Sequence, residues 1–94
     1  METKHTPGPW MIAESDERFV YALNEKGFNR FCAQVQDAHT DISELQANAR
    51  LIAAAPELLE ALNRAVMNYG HVMNAQDRKF IGEAIAKATG ASHE

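Results

Sequence analysis

The chain has 94 residues, of which 46% are apolar and 23% are charged, and its formal net charge is −4. This composition is that of a folded globular protein rather than a disordered chain, and its length corresponds to one small domain with a modest core. The negative charge disfavours binding that depends on neutralising phosphates, so no direct DNA binding is expected.

The single cysteine, Cys32, excludes an intrachain disulfide and fits the reducing environment of the cytoplasm. Apolar runs are far shorter than the ~18–20 residues that cross a bilayer. The N-terminal sequence METKHTPGPW lacks the apolar core of a signal peptide. We therefore expect a cytoplasmic protein that has no membrane partner.

The first part of the chain predicts an arm followed by strands. Residues 1–9 predict an extended arm, because Pro7 and Pro9 fix φ and provide no backbone N–H. Three stretches with apolar residues at alternating positions follow, and each predicts a short strand. These strands span residues 10–13, 19–23 and 30–36. Short turns connect them, so the sequence predicts an antiparallel meander with one apolar face.

Alternation within these strands divides the side chains between two faces. In the third strand Phe31, Ala33 and Val35 are predicted to point inward, while Cys32 points away. The aromatic side chains are predicted to lie mostly beneath the helices, rather than to form a stacking platform for single-stranded nucleic acid. These residues are Trp10, Phe19, Tyr21, Phe28 and Phe31.

The rest of the chain has helical periodicity, which Pro56 interrupts. Apolar residues recur every three or four positions over residues 45–69, but a proline inside a continuous helix costs ~3 kcal/mol. The same residue is well tolerated in the first turn of a new helix. We therefore predict helices over residues 41–54 and 56–69, with a sharp bend or a break at Ala55.

A third helix is predicted near the C-terminus. Asn74 or Asp77 can cap its start, and Gly90 can end it. Its predicted buried side combines positions that are three or four residues apart. These positions are Phe80, Ile81, Ala84, Ile85 and Ala88.

Together these elements predict an α+β fold. In this prediction a three-stranded antiparallel meander is packed on one face by the Pro-bent helix pair and the C-terminal helix. The chain is interpreted as a single domain over residues 1–94. Its parts are the extended arm (1–9), the β-meander (10–36) and the helical part (41–90).

No combination of residues predicts catalysis or a metal site. His39 and His71 do not follow the ligand spacing of zinc sites, and Cys32 has no base beside it in the sequence that would activate it. Glu57 and Glu60 lie on the polar side of their helix, where solvated carboxylates are usual. We expect a non-enzymatic protein with no metal and no other cofactor.

Three residues are candidates for binding. Asn48 and Arg50 are polar residues in a helix that is otherwise rich in alanine and leucine. A guanidinium at the edge of the packing face could clamp a carboxylate or a phosphate, and it could equally pair with Glu44 or Asp37. Trp10 is the third candidate.

A run of alanines in the same region suggests a close contact. Ala53, Ala54 and Ala55 have small side chains that allow another backbone to approach, either from the sheet of the same chain or from a helix of a second copy. Because so small a core gains from added burial, formation of a homodimer is one expected use of this surface.

Two segments carry a resemblance to known proteins, namely HTPGPW at residues 5–10 and ANARLIAAAPELLEAL at residues 47–62. Together they resemble a widespread group of short proteins encoded by bacteriophages and prophages. The segment AIAKATG at residues 84–90 resembles the ending of such proteins. The resemblance implies a phage accessory protein that acts in the bacterial cytoplasm and has no assigned enzymatic activity. It also implies that the two segments are shared structural or binding elements.

The leading functional hypothesis is a non-enzymatic phage protein that binds a host component, in a regulatory or anti-defence role. The alternative hypothesis is a small-ligand binder that sequesters a nucleotide or a nucleotide signal. In that case Asn48, Arg50 and Trp10 would be the contacts to the ligand.

Overall fold

A computed structural model describes residues 4–35 and 39–90. Over these residues the protein has the predicted α+β fold, in which a three-stranded antiparallel sheet is followed by three α-helices. The chain divides into two compact units, one formed by Thr6–Glu57 and the other by Met1–His5 together with Leu58–Glu94. Along the described residues, no helix combines the length and apolar character needed to cross a bilayer.

The strands lie in the order β1, β2, β3, with antiparallel neighbours. Strand β1 is Met11–Ile12, β2 is Phe19–Leu23 and β3 is Asn29–Gln34. The bounds of β2 are those predicted, whereas β1 is shorter than predicted and β3 begins one residue earlier. The third predicted strand extends to Gln36, which lies outside the described residues.

One face of the sheet is buried beneath a helix. The register of the strands places five side chains on this face, namely Ile12, Val20, Ala22, Phe31 and Ala33. Val20 and Ala22 are completely buried, and helix α1 (Ile42–Ala53) packs against β1 and β2. Leu45 and Ala49 are the buried residues of α1. These four buried side chains form the core of this unit.

The prediction that most aromatic residues lie beneath the helices is wrong for Phe19, Tyr21 and Phe28. Phe19 and Tyr21 alternate with the buried Val20, so they lie on the opposite face of the sheet and are only half-buried. Phe28 is 67% exposed. A strand can place only one of its two faces under a helix, and here the smaller valine and alanine side chains occupy that face.

The connection between β2 and β3 is a tight turn held by Asn24. Its Oδ1 accepts hydrogen bonds from the backbone N–H groups of Lys26 and Phe28, at 2.9 and 3.0 Å. Gly27 has a φ of 86°, which is the left-handed region that residues with a Cβ enter only at a cost. The backbone of this turn therefore favours glycine at position 27.

The helical segment breaks one residue earlier than predicted. Helix α1 ends at Ala53, α2 spans Ala55–Tyr69, and Ala54 lies between them. The N–H of Ala54 still donates to the carbonyl of Arg50, at 3.0 Å. Pro56 is thus the second residue of α2, where the helix needs no donor from it.

Asp41 is the N-cap of α1. Its carboxylate accepts a hydrogen bond of 3.2 Å from the backbone N–H of Ser43, and it also accepts one from the Ser43 hydroxyl. The bond from the hydroxyl, followed by that from the backbone N–H, holds the pKa of Asp41 below its ordinary value. The charged carboxylate is therefore the form that this cap favours.

In the second unit, α2 leads into a 3-10 turn, Gly70–Val72, and then into α3, Ala75–Thr89. Asn74 caps α3, because its Oδ1 accepts a hydrogen bond of 2.7 Å from the N–H of Asp77. Gly90 ends the helix with a φ of 77°. Both ends of this helix agree with the prediction.

The predicted buried side of α3 is correct only in part. Ile85 is buried and Ile81 is half-buried, but Phe80 is 72% exposed, and Ala84 and Ala88 are exposed as well. The side chains that are buried or half-buried are those of Ile81, Ile85, Ala86 and Thr89, with Gly82 among them. Ile81 and Ile85 belong both to the predicted buried side, with Phe80, and to the observed one, with Ala86. Both sides have helical spacing, so periodicity alone does not select between them. The packing of the C-terminal helix on the sheet stays a prediction.

Candidate functional site

Within HTPGPW, residues 6–10 form a loop that Trp10 closes. The indole Nε1 donates a hydrogen bond of 3.0 Å to the carbonyl of Thr6. The indole ring lies 4.7 Å from the ring of Phe31, with an angle of 30° between their planes. The Gly8–Pro9 peptide bond in this loop is cis. Trp10 therefore fastens the loop to the sheet, and its only polar atom is already hydrogen-bonded.

The loop contacts the start of α2 at Gly8. A Cβ placed on Gly8 would lie 3.2 Å from the Cβ of Pro56 and 3.3 Å from Oε2 of Glu57. A residue with a side chain would therefore make an unusually tight contact with Pro56 at this position. The two segments that carry the resemblance, far apart in the sequence, meet at this contact.

A cleft lies between α1 and the β1–β2 turn, and we call it the Arg50 cleft. Its volume is about 320 Å³, and its polar lining residues are Glu14, Glu17, Gln46 and Arg50. Gln46 Nε2 donates a hydrogen bond of 2.9 Å to Oε2 of Glu17, which ties the turn to the helix. The volume is near the lower end of the range for small-molecule sites.

Arg50 is the cation of this cleft, and it is exposed. Within the described part of the chain its guanidinium makes no ion pair and no hydrogen bond. The predicted pair with Glu44 is therefore not formed, and Asp37 lies outside the described residues. Because Glu14 and Glu17 border the same space, an anionic ligand would meet two carboxylates as well as one guanidinium.

Arg18, in the β1–β2 turn, already forms an ion pair. Nε and Nη2 of Arg18 donate to the two carboxylate oxygens of Asp16, at 2.9 and 2.7 Å. These side-chain bonds, together with one from the backbone N–H of Arg18, lower the pKa of Asp16. The same pairing raises the pKa of Arg18. Arg18 therefore offers no unpaired charge to a ligand in the Arg50 cleft.

The three predicted binding residues do not converge on one point. Arg50 lines the cleft, whereas Asn48 is exposed on α1 two residues earlier. This spacing separates the two side chains by about 160° around the helix axis, so one small ligand would not contact both. Trp10 is held in its loop by Thr6 and Phe31. Their participation in binding stays a prediction.

The second unit presents an apolar surface that the sequence analysis did not single out. It is the connection between α2 and α3 at residues 67–73, which we call the apolar turn. Met67 is 80% exposed, Val72 is 70% exposed and Tyr69 is 62% exposed. Gly70 is buried between them. Three large apolar side chains are thus exposed within one short segment, with Met67 and Tyr69 about 160° apart around the axis of α2.

Arg78 fastens the apolar turn to α3. Its Nε donates to the carbonyl of Gly70 at 3.1 Å, and its Nη2 donates to the carbonyl of Met73 at 2.9 Å. The bond to Met73 satisfies a carbonyl just before α3, and the bond to Gly70 adds to the one of 3.3 Å that the Met73 N–H donates to the same carbonyl. The sequence did contain a signal for this arrangement: a glycine flanked by large apolar residues, and an arginine in the first turn of the next helix.

Within the part of the chain that the structure describes, no three His, Cys, Asp or Glu side chains lie close enough to hold a metal ion. Cys32 is exposed and pairs with Tyr21 across β2 and β3. Both residues therefore lie on the face of the sheet opposite to α1.

Comparison with known protein families yields a match over almost the whole length of the chain. The family described as Salmonella phage P22 protein Y8K6 matches residues 1–92. Comparison with curated proteins and with solved structures yields no significant match. The family match agrees with the phage origin that the sequence resemblance implies. The chain belongs to the family of Salmonella phage P22 protein Y8K6.

Proposed function

We propose that this small phage accessory protein binds a protein of its bacterial host, in a regulatory or anti-defence role, and that the apolar turn is the contact surface. The exposure of Met67, Tyr69 and Val72 within one segment carries the proposal. Large apolar side chains that stay exposed in a folded protein can mark an interaction site. Membership of a phage family supports action inside a bacterial host.

The side chains of the apolar turn suit a protein partner. Tyrosine is enriched among the residues that contribute most to interfaces, because its ring buries a large area and its hydroxyl can hydrogen-bond. Methionine adapts its shape to an irregular surface. Truncation of a central aromatic residue costs about 2 kcal/mol or more, which corresponds to a roughly 30-fold weaker Kd.

Arg78 also favours binding, because it holds the turn before any partner arrives. The two hydrogen bonds from its guanidinium fix the backbone at Gly70 and Met73. A surface that is already ordered loses less conformational entropy when it binds. The apolar turn therefore resembles a preformed anchor more than an adaptable loop.

The experiment is capture of a host protein followed by measurement of its affinity. The tagged chain is expressed in host cells, a stoichiometric partner is identified, and its Kd is measured with purified proteins. We expect Tyr69→Ala to weaken Kd roughly 30-fold. The matched control is Leu51→Ala, because Leu51 is 64% exposed, as Tyr69 is 62% exposed, but lies in the other unit. Equal affinities for wild type and Tyr69→Ala would contradict the proposal.

A second candidate function is sequestration of a nucleotide or nucleotide signal in the Arg50 cleft. It is supported by a guanidinium that has no partner among the described residues and borders a space of about 320 Å³. The carboxylates of Glu14 and Glu17 count against it, because they repel the phosphates of such a ligand. Protein binding is therefore the better supported function.

A thermal-shift screen with nucleotides and cyclic dinucleotides tests this second candidate. A ligand at 100 times its Kd adds about 2.7 kcal/mol to the free energy of unfolding, which raises Tm by about 10 °C or more. Arg50→Ala should abolish the shift, whereas Asn48→Ala, on the far side of the same helix, should keep it. Unchanged Tm with every nucleotide would exclude sequestration.

A further inference from the structure

Helix α3 carries an exposed apolar stripe formed by Phe80, Ala84 and Ala88, which we call the Phe80 stripe. Its members are four residues apart and lie within about 80° of one another around the helix axis. Phe80 is 72% exposed, and both alanines are exposed. Arg78 lies about 160° away from Phe80 around the axis. The stripe is therefore separate from the apolar turn that Arg78 holds.

The Phe80 stripe is complementary to itself in size. We consider two α3 helices that run antiparallel, with a two-fold axis at Ala84. In this arrangement Phe80 of one copy lies opposite Ala88 of the other copy, and the small Ala84 residues face each other. The large ring fills the space left by a methyl group, and symmetry makes this contact twice.

The charges beside the stripe fit the same arrangement. Glu83 and Lys87 are exposed, lie along one edge of the stripe and are four residues apart. In the antiparallel pair Glu83 of one copy meets Lys87 of the other, and the reverse pair forms by symmetry. In a parallel pair the two-fold axis runs along the helices, so the two charged edges lie on opposite sides of the interface and Glu83 does not meet Lys87 of the other copy. The charge pattern thus selects the antiparallel direction.

The unit that contains α3 has a small core, so burial of the stripe would stabilise it. Among the described residues of Leu58–Glu94, the buried apolar side chains are those of Ile85 and Ala86. A unit with so little buried surface gains stability when a second copy covers further apolar area. Ala86 lies about 160° from Ala84 around the axis, whereas Ile85 lies beside the stripe, about 60° from Ala88. A partner on the stripe would therefore extend the apolar surface that is already buried at Ile85.

We propose that α3 pairs antiparallel with α3 of a second copy through the Phe80 stripe, so that the protein forms a symmetric homodimer. One pair of helices buries less surface than a standard interface, so the dimer is weak and depends on concentration. The Kd is expected to be on the order of tens of micromolar, as in transient complexes. The proposal does not depend on the host partner of the apolar turn.

Disulfide crosslinking tests the direction of the pair. In a Cys32→Ser background, Ala84→Cys places the two thiols at the axis, so mild oxidation should give a covalent dimer. Ala88→Cys is the control, because the two thiols would be about 12 Å apart along the helices, beyond the reach of a disulfide. Crosslinking of both variants would indicate a parallel pair, and crosslinking of neither would indicate that the stripe is not an interface between copies. Either result overturns the proposal.

Sedimentation equilibrium tests the charge pairs and the ring. We expect the apparent mass of the wild type to rise from monomer toward dimer between about 1 µM and 1 mM. Glu83→Lys should weaken association about tenfold, and the double variant Glu83→Lys with Lys87→Glu should restore it. Phe80→Glu should abolish association, whereas Phe28→Glu, at a position that is 67% exposed outside α3, should not. Circular dichroism checks that each variant is folded. A wild type that stays monomeric throughout overturns the proposal.

Discussion

At the scale of single residues, Gly8 and Pro56 give HTPGPW and ANARLIAAAPELLEAL a shared structural role. The glycine leaves space for the pyrrolidine ring, and the proline lies in the first turn of α2. Trp10 closes the loop that presents the glycine, through its hydrogen bond to Thr6. The indole N–H is thereby satisfied without a ligand.

We predict that Gly8→Ala lowers the free energy of unfolding by about 1–2 kcal/mol. The new Cβ would lie 3.2 Å from the Cβ of Pro56, which is closer than such atoms usually approach, and because that atom belongs to a rigid ring, the contact is relieved only by a small movement of the loop or of the helix start. The control is Gly82→Ala in α3, where no atom lies within 4 Å of the new Cβ. Gly82→Ala should raise the free energy of unfolding by about 0.5–1 kcal/mol, since alanine is the better helix former. Urea unfolding measures both, and equal stabilities of the two variants would contradict the close contact.

At the scale of elements, the sequence predicts the ends of helices better than it predicts their buried faces. Asp41, Asn74 and Gly90 act through local chemistry, as side-chain acceptors or as a residue that tolerates positive φ. The buried faces of β2 and α3 are harder to predict, because each element has two faces with apolar residues at the correct spacing. Packing selects the smaller face of β2, and it leaves Phe80 exposed on α3. Neither choice can be derived from periodicity, since both faces have the correct spacing.

The cap of α1 leads to a prediction about pH. Asp41 has a lowered pKa in the folded protein, so its contribution to stability is present above its unfolded pKa and is lost as pH falls through the folded pKa. Asp41→Ala should therefore lower Tm most at pH 7, and the difference from wild type should shrink below about pH 4. Asp41→Asn keeps an acceptor oxygen at the cap and should lower Tm less at neutral pH. Tm is measured from pH 3 to 7, and a difference independent of pH would show that the carboxylate charge has no part in the cap.

At the scale of the whole molecule, the candidate sites differ in how far the sequence predicts them. Arg50 stands out because a guanidinium in an alanine-rich helix is chemically unusual, and it does line a cleft. The apolar turn and the Phe80 stripe depend on which side chains stay exposed after folding. Exposure is set by all the packing of the chain together, so a Met, Tyr or Phe that is exposed has the same local pattern as one that is buried.

The two compact units share helix α2, and this couples their unfolding. It begins in Thr6–Glu57 and continues into Leu58–Glu94, so melting of either unit removes part of the same helix. We therefore expect one calorimetric transition, with a ratio of calorimetric to van't Hoff enthalpy near one. This measurement also tests the interpretation of residues 1–94 as a single domain.

A substitution within α2 sharpens this test. Glu60→Gly should cost about 1 kcal/mol relative to Glu60→Ala, because glycine is a poor helix former, and it should lower Tm by about 4–8 °C. Glu60→Ala removes only an exposed ion pair with Arg64, at 3.4 Å, so its Tm should stay close to that of the wild type. If the units are coupled through α2, Glu60→Gly shifts the single peak as a whole. If the units melt independently, two calorimetric peaks appear. Glu60→Gly then lowers the Tm of only the peak that reports unfolding of residues 58–90.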